Sequence, residues 1–142
     1  MGAVTKQATL AAPTDKVWEA ITDADSYAKW NAVHVAFPDG PPELAVGSTY
    51  KEQVTLMGMP GEVLWKVTEL DDGKSMVLEG DGPMGVKLRN AYSLEDDGDG
   101  TAVTFESEFG GEALAAMEAP LEAAAGKAGD DSLAKLEALL AE

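Results

Sequence analysis

Glu52, Asn90, Tyr92 and Ser107 are the residues whose types and spacing suit chemistry inside a folded core. Each stands at the apolar phase of an alternating stretch: Tyr50, Glu52, Val54 and Leu56 in one; Met84, Val86, Leu88, Asn90, Tyr92 and Leu94 in another; Val103, Phe105, Ser107 and Phe109 in a third. Successive side chains of a strand point to opposite faces, so the four polar groups share the inner face with apolar ones. A few convergent polar groups in an apolar surround are the usual composition of a small-molecule site. Two kinds of chemistry are open to them. They can anchor a ligand, or Glu52 can act as general base while Tyr92 or Asn90 polarises a carbonyl. The alternative placement puts Glu52 near a strand end, Asn90 against a bulge and Tyr92 at the solvent boundary.

Other chemistry is excluded by composition. The 142-residue chain has no cysteine and one histidine, His34. Thiolate nucleophiles, disulfides and thiolate zinc sites are therefore absent, and so is any site needing two imidazoles. His34 alternates with Ala32 and Ala36, away from Val33, Val35 and Phe37, which assigns it to the surface or an edge. Glu95, Asp97, Asp99, Gly100 and Glu106 match the spacing of a calcium-binding loop, but strands and not helices flank them, so a solvated acidic hairpin turn is expected. Gly80-Asp81-Gly82-Pro83 reads as a turn, because no helix follows to cradle a phosphate. With 26 acidic and 10 basic residues the net charge is −16. Such a field repels phosphate backbones and anionic lipid, so no nucleic-acid or membrane partner is expected. The start, Met1 to Lys6, has no basic-then-apolar pattern and no long apolar run occurs, so the expectation is a soluble, cytoplasmic protein.

The elements that must position these residues follow from periodicity. Residues 4 to 10 form a first strand, stopped by Ala11-Ala12-Pro13. Pro13 suits a helix start, and Val17, Trp18 and Ile21 give a short helix to about residue 22. Asp23 to Trp30 reads as a second, with Tyr27 and Trp30 on one face. The period then changes to two, giving strands at 32–37, 49–57, 62–70, 75–80, 84–94 and 101–109, separated by Gly-, Pro- and Asp-rich turns. From Pro120 to about residue 141 the chain is rich in Ala, Leu and Glu and forms a long helix, weakened by Gly126 and Gly129. The whole is α+β, one domain over 1–142: a curved antiparallel sheet of about seven strands wrapped round the C-terminal helix. Met57, Met59, Met76 and Met84 serve as an adaptable lining or as core filling. Trp18 and Trp30 anchor the short helices, whereas Trp65 is a lining residue.

Ala12-Pro13 with Val17-Trp18, followed by Tyr27 and Trp30-Asn31, resembles the opening of START-like (SRPBCC) helix-grip proteins, including the polyketide cyclase/dehydrase group. Gly58-Met59-Pro60 with Trp65, and Gly80-Asp81-Gly82 followed by Gly85-Val86-Lys87, look like a mycobacterial branch of toxins from type II toxin–antitoxin pairs. The resemblance implies a helix-grip fold with a deep hydrophobic cavity between sheet and long helix, used for lipids, polyketides, sterols or other apolar ligands. It implies no single chemistry. Iron-binding oxygenases of the superfamily use histidines and a carboxylate, which one histidine cannot reproduce.

The expected ligand-lining set is Tyr50, Glu52, Val54, Trp65, Leu78, Leu88, Asn90, Tyr92, Phe105, Leu121, Ala124 and Ala125. The helix alanines either leave room for a ligand or allow close approach of helix to sheet. The leading expectation is a binding or carrier protein for a small hydrophobic molecule, monomeric or homodimeric, with no metal and no cofactor. Its rivals are a cyclase- or dehydratase-type enzyme using Glu52, Asn90 and Tyr92, and a toxin-like interaction module.

Overall fold

The computed structural model describes residues 2–23, 26–40, 42–56, 58–82 and 85–141. Seven strands form one antiparallel sheet: β1 (Gly2–Leu10), β2 (His34–Ala36), β3 (Thr49–Leu56), β4 (Met59–Asp71), β5 (Ser75–Asp81), β6 (Lys87–Asp97) and β7 (Gly100–Gly110). Their order is β1-β7-β6-β5-β4-β3-β2, a six-strand meander against whose last member the first strand pairs. Helices α1 (Thr14–Thr22) and α2 (Tyr27–Trp30) fill the crossover from β1 to β2, and a 3-10 turn at Glu112–Met117 leads into α3 (Glu118–Leu140). The sheet curls round α3 as the α+β helix-grip arrangement requires.

Several boundaries differ from the periodic reading. Met59-Pro60-Gly61, expected as a connection, belongs to β4 and pairs with Leu56, Thr55 and Val54. Pro60 is tolerated because the N–H of the facing Thr55 turns the other way, to the carbonyl of Val33 at 2.9 Å, and asks nothing of its partner. Asp81 likewise extends β5. Strand β6 starts at Lys87, not Met84, with Gly82 N–H closing its approach on the carbonyl of Val86 at 2.8 Å. The second helix contracts to four residues, and Asp23 caps α1 instead of starting α2. Pro120 falls in the first turn of α3, where no hydrogen bond is asked of it. The acidic segment is a hairpin: Asp97 pairs with Gly100 across Gly98-Asp99, while Glu95 and Glu106 lie on the strands and cannot close a loop round a cation. Met57 and Met84 lie outside the described residues, and Met76 is fully buried core.

Helix α1 is tied to the sheet at three points. Thr101, fully buried on β7, donates to the carbonyl of Ala12 at 2.8 Å and bonds the Thr14 hydroxyl at 3.2 Å. Thr14 also meets Asp96. The Trp18 indole N–H donates to Asp72 in the β4–β5 turn at 2.8 Å, which makes Trp18 the expected helix anchor. On the convex face the one arginine, Arg89, stands in register between Glu79 and Glu108, the favourable cross-strand arrangement.

Helix α3 lies against β1, α2 and α1. Its buried stripe is Leu121, Gly126, Gly129, Leu133 and Leu136. The two glycines face the sheet closely: a Cβ on Gly129 would stand 3.1 Å from Lys6 Cγ and 3.6 Å from the Phe105 ring, and one on Gly126 would be 3.5 Å from Lys6 Cε. Close approach is thus made by glycines, while Ala124 and Ala125 are only half-buried. Among the described residues no helix is long and apolar enough to cross a membrane.

The spacing at α3 sets opposite outcomes for its glycines. Gly126→Ala meets only ordinary contact and should raise stability by about 0.5–1 kcal/mol through helix propensity. Gly129→Leu should lower it by about 1–3 kcal/mol by overpacking against β1. Urea denaturation of the two variants measures both.

Candidate functional site

The concave face gathers nearly all of the chain's reactive ring chemistry in one place. Glu52, fourth residue of β3 and only 4% exposed, is held on both oxygens. Its Oε2 lies 2.7 Å from Nδ1 of His34, and its Oε1 accepts the indole N–H of Trp65 at 2.9 Å. The geometry is set by register. His34 faces Val54 and Trp65 faces Tyr50, each two residues from Glu52 on the same face, so the three side chains run diagonally across β2, β3 and β4. Trp65 lies flat because its partner on β5 is Gly80, where any Cβ would come within 2.7 Å of the ring.

His34 is the functional residue that alternation misplaces. It is buried beside Glu52, whereas Val35 is 55% exposed. The strand holding it has three residues, and its register shifts between His34 and Ala36, which lets Phe37 turn inward too, with its ring 4.5 Å from the imidazole. The segment is fixed from both sides. Asn31 Oδ1 accepts from Val33 N–H and His34 N–H at 3.1 and 3.2 Å, and Ser132 Oγ on α3 accepts from Ala32 N–H at 2.9 Å. The Asn31 side-chain turn after Trp30 is the signal in the sequence that the backbone reverses here.

Around this pair stand all three tyrosines of the chain. Tyr27 sits edge-on to His34 at 5.6 Å and to Trp30 at 5.3 Å. Trp30 meets Tyr92 at 6.3 Å, and Tyr92 stacks on Phe105, its register partner on β7, at 5.0 Å. Tyr50 contacts Phe37 at 5.9 Å. Such pairs contribute about 0.5–1.5 kcal/mol each beyond burial. Yet no hydrogen bond joins any of the three hydroxyls to another described residue. The Trp30 indole N–H, in a side chain 3% exposed, is likewise without a partner among the described residues. A buried unpaired donor costs about 1–3 kcal/mol.

Of the expected lining set, Tyr50, Glu52, Trp65, Leu78 and Tyr92 are buried together, with Val54, Leu88 and Phe105 packed at the margin. Asn90 is half-buried on the same face, opposite Leu78 and Ser107 in regular register, so no bulge accounts for it. Leu121 is buried outside this cluster, and α3 contributes Leu133 and Leu136 instead of Leu121, Ala124 and Ala125. Tyr27 and Trp30 join the site from α2 and Phe37 from just after β2, where only helix anchoring or a strand register was expected. A separate open groove runs between β1 and α3, floored by Val4 and Lys6, with Lys6 paired to Asp130 at 3.2 Å.

Burial raises the Glu52 pKa, while hydrogen bonds from His34 and Trp65 and the charge of His34 pull the other way. The 2.7 Å contact serves either proton position: Nδ1–H donates to the carboxylate, or the protonated carboxyl donates to bare Nδ1. Burial also raises Tyr27, Tyr50 and Tyr92, reinforced by their neighbours and Glu52. With both oxygens engaged, Glu52 is a fixed anchor and not a free base; the ring nitrogen left for proton transfer is Nε2 of His34. Among the described residues no three His, Asp or Glu side chains converge as metal ligands would.

A helix-grip sheet with this interior matches the family described as polyketide cyclase / dehydrase and lipid transport, over residues 1–141. The chain belongs to that family. Toxin Rv0910 of Mycobacterium tuberculosis (strain ATCC 25618 / H37Rv) is 29% identical over 103 residues, 72% of this chain and 72% of that one. Among solved structures, protein CV1439 from Chromobacterium violaceum is similar at a TM-score of 0.79 with 17% identity, covering 100% of this chain and 99% of that one. A START superfamily protein from Mycobacterium smegmatis gives 0.76 with 18% identity over 99% and 98%. At those identities the solved structures speak for the fold alone.

The raised values fix the sign of the pH response. For Glu52 the stability contribution is full below the ordinary carboxylate range and is lost as pH rises through its raised pKa. Glu52→Gln should therefore flatten the stability–pH curve above that range. His34→Phe strips the carboxyl of a partner and should cost about 3–5 kcal/mol at neutral pH, less in acid. For the tyrosines the contribution is full below the ordinary value of 10.0 and lost above it. Phenolate absorbance near 295 nm should then rise only together with unfolding; independent titration near 10 would contradict the burial.

Proposed function

We propose that the protein is a binding or carrier protein for a small hydrophobic molecule, held on the concave face of the sheet beside Glu52, Tyr50 and Tyr92. One observation carries this reading: the chain's only histidine and all three tyrosines converge inside, yet the hydroxyls and the Trp30 N–H have no described protein partner. A core built only for stability would satisfy such groups or omit them. A bound molecule with an apolar body and a polar end would cover the rings, at about 25 cal/mol per Å² of apolar surface removed from water, and meet the tyrosine hydroxyls. Family membership supports the same class of ligand. The absence of cysteine suits a reducing cytoplasm as the working compartment.

Native mass spectrometry of gently purified protein should show a non-covalent adduct of a few hundred daltons that is missing under denaturing conditions. Apo spectra from several expression hosts, together with no binding of apolar dyes, would overturn the carrier reading.

The likeness to Toxin Rv0910 favours a second reading, an interaction module whose partner is complementary to a strongly acidic surface. Arrest of growth on induced expression, relieved by a co-expressed basic partner, would support it. Unimpaired growth at high expression would remove it.

A further inference from the structure

The two edges of the sheet are guarded unequally. Edge strand β2 has three residues and a shifted register, so it offers little for another chain to pair with. Edge strand β1 has nine residues, in unbroken register with β7 from Gly2↔Phe109 to Leu10↔Thr101. Among the described residues, the backbone groups of β1 that point away from β7 have no backbone partner. Proline, bulges and outward charges, the devices that blunt an edge, are missing from it. Ala3, Thr5, Gln7 and Thr9 are exposed on the convex side, and the one charge, Lys6, turns toward α3 and is held by Asp130 at 3.2 Å.

A groove lies along this edge. It is walled by four consecutive residues of β1, Ala3 to Lys6, and by one face of α3 from Ala119 to Asp130, and it holds about 700 Å³. Consecutive residues of a strand point to opposite faces, so a groove that touches both sets runs along the edge and not over a face. Its helical wall covers eleven residue steps, about 16 Å at 1.5 Å each. That is the length of about five residues of extended chain. A strand added to β1 would use the free backbone groups and lay alternate side chains into the groove.

Charge decides what the added strand carries. In the groove Lys6 is held by Asp130 and Lys127 by Asp131 at 2.7 Å, which leaves Glu122 as the carboxylate with no ion-pair partner among the described residues. On the convex side Glu106 stands in register between Thr5 on β1 and Ala91 on β6, with no cation at either position. Neighbouring strands are about 4.8 Å apart, so a Lys or Arg on the added strand reaches across Thr5 to Glu106. A second copy of this chain brings the wrong sign: each copy carries −16, and the one cation of its β1 is already held.

We propose that the β1 edge is a docking site for an extended segment of a protein partner, about five residues long, whose side chains are alternately apolar and basic. The apolar set enters the groove over Val4, and the basic set lies on the convex side toward Glu106. This rests on the interaction-module reading, to which it adds a surface and a partner chemistry.

The probe is acetyl-KVRVKVR-amide, titrated at neutral pH and low salt into the ¹⁵N-labelled full chain. Beside it run its counterpart with glutamate at every basic position and two N-methylated forms, one methylated at the valines and one at the basic residues. The basic peptide should bind, shift the amides of residues 3–7 and slow hydrogen exchange at alternate amides of β1. Strand addition pairs one edge of the peptide, so one N-methylated form should bind about tenfold or more weaker than the other. Equal binding of the two forms would show attraction by charge alone and overturn the proposal. Glu106→Lys should weaken binding about threefold to tenfold, whereas Glu137→Lys, on the exposed side of α3, should weaken it far less. Equal loss from both variants would overturn the placement. The shifts and the exchange are read on the unsubstituted protein, so they stand even if a variant misfolds. Shifts confined to residues outside β1, or equal binding of the acidic counterpart, would overturn the proposal and leave the interaction reading standing. No binding at millimolar peptide would overturn it as well. So would a dimer of the chain alone with protected β1 amides, which gives the edge to a second copy. The interaction reading itself fails separately, through unimpaired growth on expression.

Discussion

A carboxyl group in the middle of an apolar sheet face is expensive, and the arrangement of this molecule follows from how that cost is met. Taking an isolated carboxylate out of water is prohibitive, whereas one hydrogen-bonded on both oxygens is tolerated. Glu52 meets that condition through an imidazole nitrogen and an indole N–H brought from strands on either side of its own. Each partner then has requirements. Trp65 needs a glycine beneath it, which Gly80 supplies. His34 needs a backbone reversal immediately after α2, which Asn31 makes and Ser132 on α3 pins down. The anchor thereby couples the edge of the sheet, the short helix and the long helix to one buried group.

That dependence explains which parts of the molecule were legible in its sequence. Element order reads directly from the change of period at residue 32 and the alanine-rich tail, because periodicity reports burial and burial decides the elements. The inward register of Tyr50, Glu52, Tyr92 and Phe105 reads equally well from long, regular strands. His34 does not. On a strand of three residues with a shifted register, two-residue alternation has no length over which to act, and the rule that apolar side chains turn inward places Val35 where the structure places the imidazole. Pro60 shows the same limit from the other side. A residue that breaks most strands sits within β4, because the facing Thr55 N–H is committed to Val33.

The long helix shows that a residue's size and its role are separate questions. A stripe of alanines suggests room for a ligand, but the positions that meet the sheet are Gly126 and Gly129, and the alanines lie beside them. The glycines weaken the helix locally by up to about 1 kcal/mol each. In return the Lys6 stem and the Phe105 ring lie against the helix backbone, and Lys6 can reach Asp130. Helix α3 is therefore pressed closely against β1, with the Phe105 ring of β7 reaching Gly129. The aromatic cluster is roofed instead by the short α2, through Tyr27 and Trp30, with Leu133 and Leu136 behind.

A fold shared at identities below 20% with CV1439 and the Mycobacterium smegmatis protein fixes backbone paths and leaves the concave face free to vary. What this chain has written on that face is specific. It carries a histidine and a glutamate able to share one proton, three phenols held neutral by burial, and an indole N–H with no partner among the described residues. The surface carries the −16 net charge and keeps anions at a distance. The interior presents neutral donors within an apolar surround. Substitutions at the surface should therefore act through the long-range field, and substitutions at the rings through the packed interior.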